Sequence, residues 1–374
     1  MLRPAIFSFV QRAMQAQNEA ITRRTQQEIN MSKNILVIGG TGAIGAMLVE
    51  QLLKAGHAVA IASRGHTRDG FGAQVRRIHV DRHHRAAMQA AFAHVSFDVV
   101  IDLLNRSPLD AQIALDVFKG KTKRYVMASS IAVYRQQIGC RNEPFDEAAL
   151  DLSREAIDWQ RDWLEPVDAR ENFAPGLRQA EAVMQGDGGL PAVSVRLAHV
   201  LGDTPSPHDP LAYYVGLVQS DQALLYANGK ATTSFIDVAS AASFLHWSAM
   251  QAFTGPVNAA SGGQLSALGL HRRVGDVLGM PARALPLSTQ GNLSPFDLPH
   301  PLLLDTERAA QLGYRFNRLD GWLDLLIHQY QPDLVSAPGD VPEQEAATAQ
   351  VPAELLSACK PHRPSLQTSL SAAR

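Results

Sequence analysis

The chain predicts an α/β fold built on a Rossmann-type doubly wound parallel sheet, and three observations lead there. In "NILVIGGTGAIGAMLVEQLLKAGH" a short apolar run, a glycine-rich turn and an amphipathic helix follow one another without interruption. Further strands and helices then alternate, the pattern of a parallel sheet covered on both faces. A hydrophobic content of 46% against 19% charged residues, over 374 residues, is that of a globular chain with a large core.

The elements can be justified in order. Ile35 to Ile38 form a continuous apolar run, as expected of a parallel strand buried on both faces. Leu48, Val49, Leu52 and Leu53 recur at helical spacing after the turn. "HAVAIASRGHTR" supplies the second strand, and "VRRIHVD" a third that ends at Asp81. "FDVVIDLLN" and "KRYVMASS" give the fourth and fifth, and "PAVSVRLAHV" a sixth after a helix containing "RENFAPGLRQAEAV".

The turn carries the first functional signal. Gly39, Gly42 and Gly45 stand at three-residue intervals between a strand and a helix. Glycines there allow a tight turn, a close approach of backbone to a pyrophosphate and close helix–strand packing. The helix N-terminus adds unpaired N–H groups and partial positive charge. Thr41, Ala43 and Ile44 belong to the same phosphate-facing turn. Ligands of such sheets bind beyond the carboxyl ends of the strands, which collects Asp81, Leu103, Leu104, Asn105, Ser129 and Ser130 along the same edge. At the end of the second strand, an acid would hold a ribose 2′-hydroxyl. The chain instead has Ser63 and Arg64, with Arg68 close behind. A guanidinium pairs with a 2′-phosphate through two hydrogen bonds, so NADP is the expected cofactor, with NAD as the alternative.

These residues resemble the extended and atypical short-chain dehydrogenase/reductase superfamily, the NAD-dependent epimerase/dehydratase family. The likeness runs from about residue 33 to 330 through "SRG" at 63–65, the Asp81-Arg82 pair, "SSIAVY" at 129–134, "VRLAHVLGDTPSPHDP" at 195–210, "FIDVASAASFL" at 235–245 and "LDTERAAQLGYRF" at 304–316. It implies a cofactor-binding domain over 33–200 and a smaller C-terminal α/β substrate lobe mainly over 201–332, with some segments returning to the first domain. It also implies that Asp81 reaches the adenine amino group with Arg82 beside it, and that Ser130 hydrogen-bonds the reacting carbonyl or hydroxyl.

The family's acid–base pair is a tyrosine and, four residues later on one helical face, a lysine that lowers the tyrosine pKa. The resemblance puts Phe173 at the tyrosine and Leu177 at the lysine, while Gly176, Arg178 and Glu181 still fit the pattern. Phenylalanine donates no proton and leucine holds no charge. Three readings stay open: an oxidoreductase or epimerase acting on a small or sugar-like substrate with another acid, such as Tyr134, Tyr213 or a bound water; a catalytically inactive NADP(H)-binding sensor or scaffold; and an RNA-binding-type relative. The formal charge of −2 disfavours nucleic acid as the partner. Sugar-nucleotide dehydratases of the superfamily carry Asp and Glu after the active-site serine or threonine; Ile131 and Ala132 stand there, which sets that chemistry aside.

Other features carry weaker expectations. No stretch reaches the roughly 18 to 20 apolar residues of a membrane span. Cys140 and Cys359 are too few and too distant for a disulfide framework, which points to a reducing, cytoplasmic setting. Residues 1–32 read as a poorly ordered extension whose arginines leave organelle targeting open, with Met31 the favoured second start; 333–374 read as a disordered tail. His79, His83 and His84 lack the cysteine or paired carboxylates of a metal site and read as solvated side chains, so no metal is expected. His208 and Asp209 are adjacent and would point apart on an extended chain, so they are not paired as a dyad. Trp159 and Trp163 lie four apart on an expected acidic helix over 151–166, read as a lid, a homodimer contact or plain packing.

Overall fold

The computed structural model describes residues 32–141, 143–165, 169–202, 209–287 and 294–330. The expected extension before residue 32, the tail from 333, Cys359 and His208 lie outside these residues.

Seven parallel strands form the central sheet: β1 (Asn34–Ile38), β2 (Ala58–Ser63), β3 (Val75–His79), β4 (Phe97–Asp102), β5 (Thr122–Ser130), β6 (Ala192–Leu197) and β11 (Gly255–Ala259). Their spatial order is β11-β6-β5-β4-β1-β2-β3. The order reverses at β1, where Ile35 to Ile38 pair with β2 on one side and β4 on the other. Right-handed crossovers on the two sides of that point send helices to opposite faces. Helix α1 (Ala43–Lys54) packs against α6 (Val238–Met250), and α3 (Pro108–Phe118) packs against α4 (Ala169–Asp187). Four residues of β1 and Leu48, Val49 and Leu52 of α1 are buried in the core between these layers.

Local chemistry sets the helix ends. The Ser107 Oγ accepts from the Asp110 N–H at 3.1 Å and Pro108 fills the first turn of α3, where its missing N–H costs nothing. The His84 ring nitrogen accepts from the Ala87 N–H and starts α2 (Arg85–Ala91). Helix α4 tolerates Pro175 near its start.

The second core belongs to a smaller lobe. It gathers Leu211, Tyr214 and Val215 of α5 (Pro210–Gln219), Leu270 and Val274 of α7 (Ala267–Leu278), Leu323 and Ile327 of α9 (Leu323–His328), and the rings of Phe235 and Phe296. Short strand pairs frame it: β7 (His199–Leu201) with β10 (Phe235–Asp237), β9 (Thr232–Thr233) with β12 (Leu265–Ser266), and β8 (Leu224–Tyr226) with β13 (Ala284–Pro286). Strand β11 and helix α6 return from this half of the chain to the main sheet.

Four expectations are corrected. The third strand ends at His79, two residues before Asp81. The expected sixth strand breaks at Ala198 into β6 and β7, and β7 leaves the main sheet to pair with β10. The segment 151–165 is irregular instead of helical. Asp151, Asp158 and Asp162 each accept backbone N–H groups two or three residues ahead, turns that compete with the helical ladder. Cys140 is disulfide-bonded, against the expectation of reduced cysteines.

Candidate functional site

The carboxyl ends of β1, β2, β4 and β5 open onto one edge, and the glycine turn lies at its centre. Gly39 takes φ +86°, a left-handed conformation that glycine adopts without steric cost, and its N–H donates to the Ala62 carbonyl at 3.1 Å. A Cβ on Gly45 would stand 2.2 Å from the Gly39 carbonyl oxygen, so only glycine lets α1 start this close to the turn. Gly42, by contrast, faces open space and caps α1 with no side-chain hydrogen bond. No acidic residue occupies the first turn of α1. The result is a cradle of backbone N–H groups, bare and electropositive, suited to a pyrophosphate. Thr41, Ala43 and Ile44 are half-buried along it, and Leu103 and Leu104 pack against Gly39 from the end of β4.

The turn after β2 is held by its own backbone and side chains. The Ser63 Oγ accepts from the Gly65 N–H at 3.3 Å, and Gly65 (φ +79°) lies so close to the His79 ring that a Cβ would meet it at 2.3 Å. Arg64 and Arg68 are exposed and have no hydrogen-bond or ion-pair partner among the described residues. Asp81 is exposed and accepts from the His83 N–H.

Two expected cofactor residues are turned inward. Arg82 is 3% exposed; its guanidinium pairs with Asp102 and, at 2.9 Å, with Asp110. Asn105 is fully buried and donates to the Tyr125 hydroxyl at 3.2 Å, which donates to Asp102 at 2.6 Å. Both side chains are removed from the cofactor set: the Arg82 charge is neutralised by two buried carboxylates, and the Asn105 amide is turned to Tyr125. The cluster shapes the edge from behind: Asp102 also accepts from the Leu104 N–H and fixes the turn after β4. His83, read as solvated, bonds Asp110 at 2.7 Å. Burial would raise the Asp110 carboxyl, but the His83 hydrogen bond and the Arg82 charge outweigh it and leave its pKa lowered. Among the described residues no metal-ligand set comes together.

Ser130 ends β5, half-buried, and its Oγ accepts from the Ala132 N–H at 3.2 Å, so its own proton remains available to an oxygen in the cleft. Tyr134 is a different case and is removed from the catalytic set. It is wholly buried, accepts from Arg196 at 2.7 Å and donates to the Asn258 side chain at 2.9 Å. Burial pushes its pKa up to about 12. It belongs to a network that sequence reasoning missed. Arg196 and Glu181, both 0% exposed, pair at 2.7 Å, and Ser129 donates to Glu181 at 2.5 Å. The lone arginine in the apolar strand "AVSVRL" was its signal. Tyr213, the other tyrosine considered, is half-buried on α5, and burial raises its pKa.

Helix α4 packs on the 3-10 turn Ile131–Gln137 that follows Ser130. Gly176 lets it approach: a Cβ there would stand 2.3 Å from the Arg106 carbonyl. Leu177 is buried in the main core, and Phe173 packs against that core while half-exposed. The segment 151–165 is strapped along α4 through Glu155–Arg178, Asp158–Gln179 and Asp162–Asn172 contacts. Trp163 is buried under it and Trp159 is exposed.

Residues 35–150 match the family model described as NAD dependent epimerase/dehydratase family. Comparison with curated proteins found no match. Solved structures share the fold of the whole body. A UDP-glucose 4-epimerase of Thermotoga maritima, determined with UDP-glucose, superimposes at TM-score 0.62 and 16% identity, covering 79% of this chain and 97% of its own. A Bordetella bronchiseptica enzyme in complex with NAD and UDP gives TM-score 0.62 at 17% identity, with 83% and 97% covered. A dTDP-glucose 4,6-dehydratase of Bacillus anthracis in complex with NAD gives 0.62 at 13%, with 80% and 96% covered. Among the described residues, no helix is long and apolar enough to cross a membrane.

Proposed function

We propose that the protein binds a nicotinamide dinucleotide at the β1/β4 edge and acts on a sugar-like substrate, as a sugar nucleotide is for the solved neighbours, with an altered proton-transfer apparatus. The observation that carries the reading is the bare cradle of Gly39, Gly42 and Gly45 at the start of α1. The backbone from Gly39 to Gly45 would hold the pyrophosphate, and Asp81 the adenine side. Arg64 and Arg68, exposed and unpaired, favour a 2′-phosphate and hence NADP(H) over NAD(H). A nicotinamide ring, once bound, supplies hydride chemistry. Ser130 orients the reacting oxygen by donating its hydroxyl proton. Phe173 and Leu177 stand where a tyrosine and a lysine would act and supply neither proton nor charge, so proton transfer falls to a water or to the substrate itself. A catalytically silent dinucleotide sensor is the second reading, and the same replacement favours it.

Intrinsic tryptophan fluorescence titrated with NADPH and NADH tests the cofactor; tighter binding of NADH removes the role given to Arg64. Turnover of a UDP-hexose compared between the natural protein and a Phe173→Tyr, Leu177→Lys double variant tests the chemistry. Weak turnover that rises in the double variant supports altered catalysis. Turnover that is fast in the natural protein and insensitive to Ser130→Ala places the chemistry elsewhere.

A further inference from the structure

Among the described residues, two polar groups just past the carboxyl ends of β5 and β6 are buried without a partner: the Nε and Nη2 atoms of Arg135 and the Nε2 atom of His199 make no hydrogen bond. They follow neighbouring strands, and the charge of Arg135 reaches the His199 ring. Ser130 pairs with Leu197 across the two strands, and Tyr134 holds Arg196 at 2.7 Å. Arg135 follows Tyr134, and His199 comes three residues after Arg196. The pKa of His199 is lowered to about 3, by burial first and by the charge of Arg135 second. The imidazole is therefore neutral, packed against the rings of Phe296 at 4.9 Å and Phe235 at 6.0 Å. Burial lowers the Arg135 guanidinium to about 10, which leaves it cationic at neutral pH.

Nε and Nη2 are the two donors on one side of a guanidinium, and their spacing matches the two oxygens of a carboxylate. An unpaired buried donor of this kind costs stability, the more so when charged. Arg196, one strand away, shows how this fold satisfies a structural arginine: three contacts to Glu181, one to Tyr134 and one to the Glu147 carbonyl. Arg135 has no carboxylate partner among the described residues. One cation beside a neutral histidine balances a single negative charge, which favours a carboxylate over a phosphate monoester. Its donor atoms are shielded from water, so an entering group meets no competing hydration and must move the packing above them.

We infer that Arg135, with His199, recognises a carboxylate carried by the substrate. The inference rests on the proposed function, because it takes the substrate to enter beside Ser130. Arg135 donates to the two oxygens from its Nε–Nη2 side, and His199 donates a third hydrogen bond in the tautomer that carries its proton on Nε2.

The test uses the full chain. D-glucuronate, D-glucose and D-glucose 1-phosphate are titrated by calorimetry into protein with and without NADPH, at constant ionic strength, for the natural protein, Arg135→Met and Arg135→Lys. Glucuronate is expected to bind the natural protein at least about tenfold tighter than either competitor. Arg135→Met should erase that preference, and Arg135→Lys should lose most of it by losing the fork. In the ligand-free state Arg135→Met should raise Tm by about 2 °C, because it replaces an unpaired buried charge with an apolar chain of similar length. The inference is overturned by equal binding of the three probes, by preference for the phosphate, by preference that survives in Arg135→Met, or by a lowered Tm, which would make Arg135 a structural residue. Binding of NADPH without a carboxylate preference removes this inference alone; binding of neither NADPH nor NADH removes the proposed function.

Discussion

The two halves of the candidate site are built from different materials. At the ends of β1 and β2 the backbone makes the site: a left-handed glycine, a second glycine pressed on a carbonyl and a helix N-terminus with no side-chain cap. At the ends of β5 and β6 side chains make it, in a buried network of Glu181, Arg196, Ser129 and Tyr134. A backbone site is defined by what is missing and tolerates no added atom. A side-chain site is defined by pairing and tolerates no lost partner.

Each half should therefore fail in its own way. The largest loss is expected from Glu181→Ala, which leaves Arg196 buried and uncompensated and should cost about 3–5 kcal/mol in urea unfolding. A loss under about 1 kcal/mol would mean that water reaches Arg196 and would break the contrast. Gly45→Ala comes next. Its Cβ meets backbone instead of a flexible side chain, so unfolding should lose about 1–3 kcal/mol and dinucleotide binding should weaken with it. Tyr134→Phe removes one hydroxyl from the network and should cost about 1–2 kcal/mol without shifting the pH profile of any turnover. A shifted profile would return Tyr134 to the chemistry. At neutral pH the smallest effect concerns His199. Its folded pKa of about 3 lies below its unfolded value near 6.5, so the unfolded chain binds more protons between those values. Its contribution to stability is complete above about pH 6.5 and is lost as pH falls toward 3. His199→Asn should flatten that part of the stability–pH curve, and an unchanged curve would show that the imidazole is not desolvated.

The same contrast explains how much the sequence disclosed. The glycine turn was legible because backbone geometry constrains residue type directly at Gly39 and Gly45. The parallel sheet followed from the alternation of elements. Arg82 and Asn105 were misread because they follow Asp81 and Leu104 in the chain while their side chains turn inward to Asp110 and Tyr125. Nothing in a linear pattern reports that turn. The helix expected over 151–166 failed because three aspartates capture nearby N–H groups, a local competition that the four-residue spacing of Trp159 and Trp163 does not reveal. Arg135 carried no signal at all, since an absent partner is visible only once the neighbours are placed.

The return of β11 and α6 to the main sheet has a practical consequence for anyone dissecting the molecule. A chain cut near residue 200, the boundary that its first half suggests, would not release a self-sufficient cofactor module. It would leave β6 as an unpaired edge and strip α6 from α1, exposing backbone donors and an apolar helix face at once. Such a fragment would self-associate. The lobe and the sheet are interleaved in the order of the chain, and have to be expressed, and inherited, as one unit.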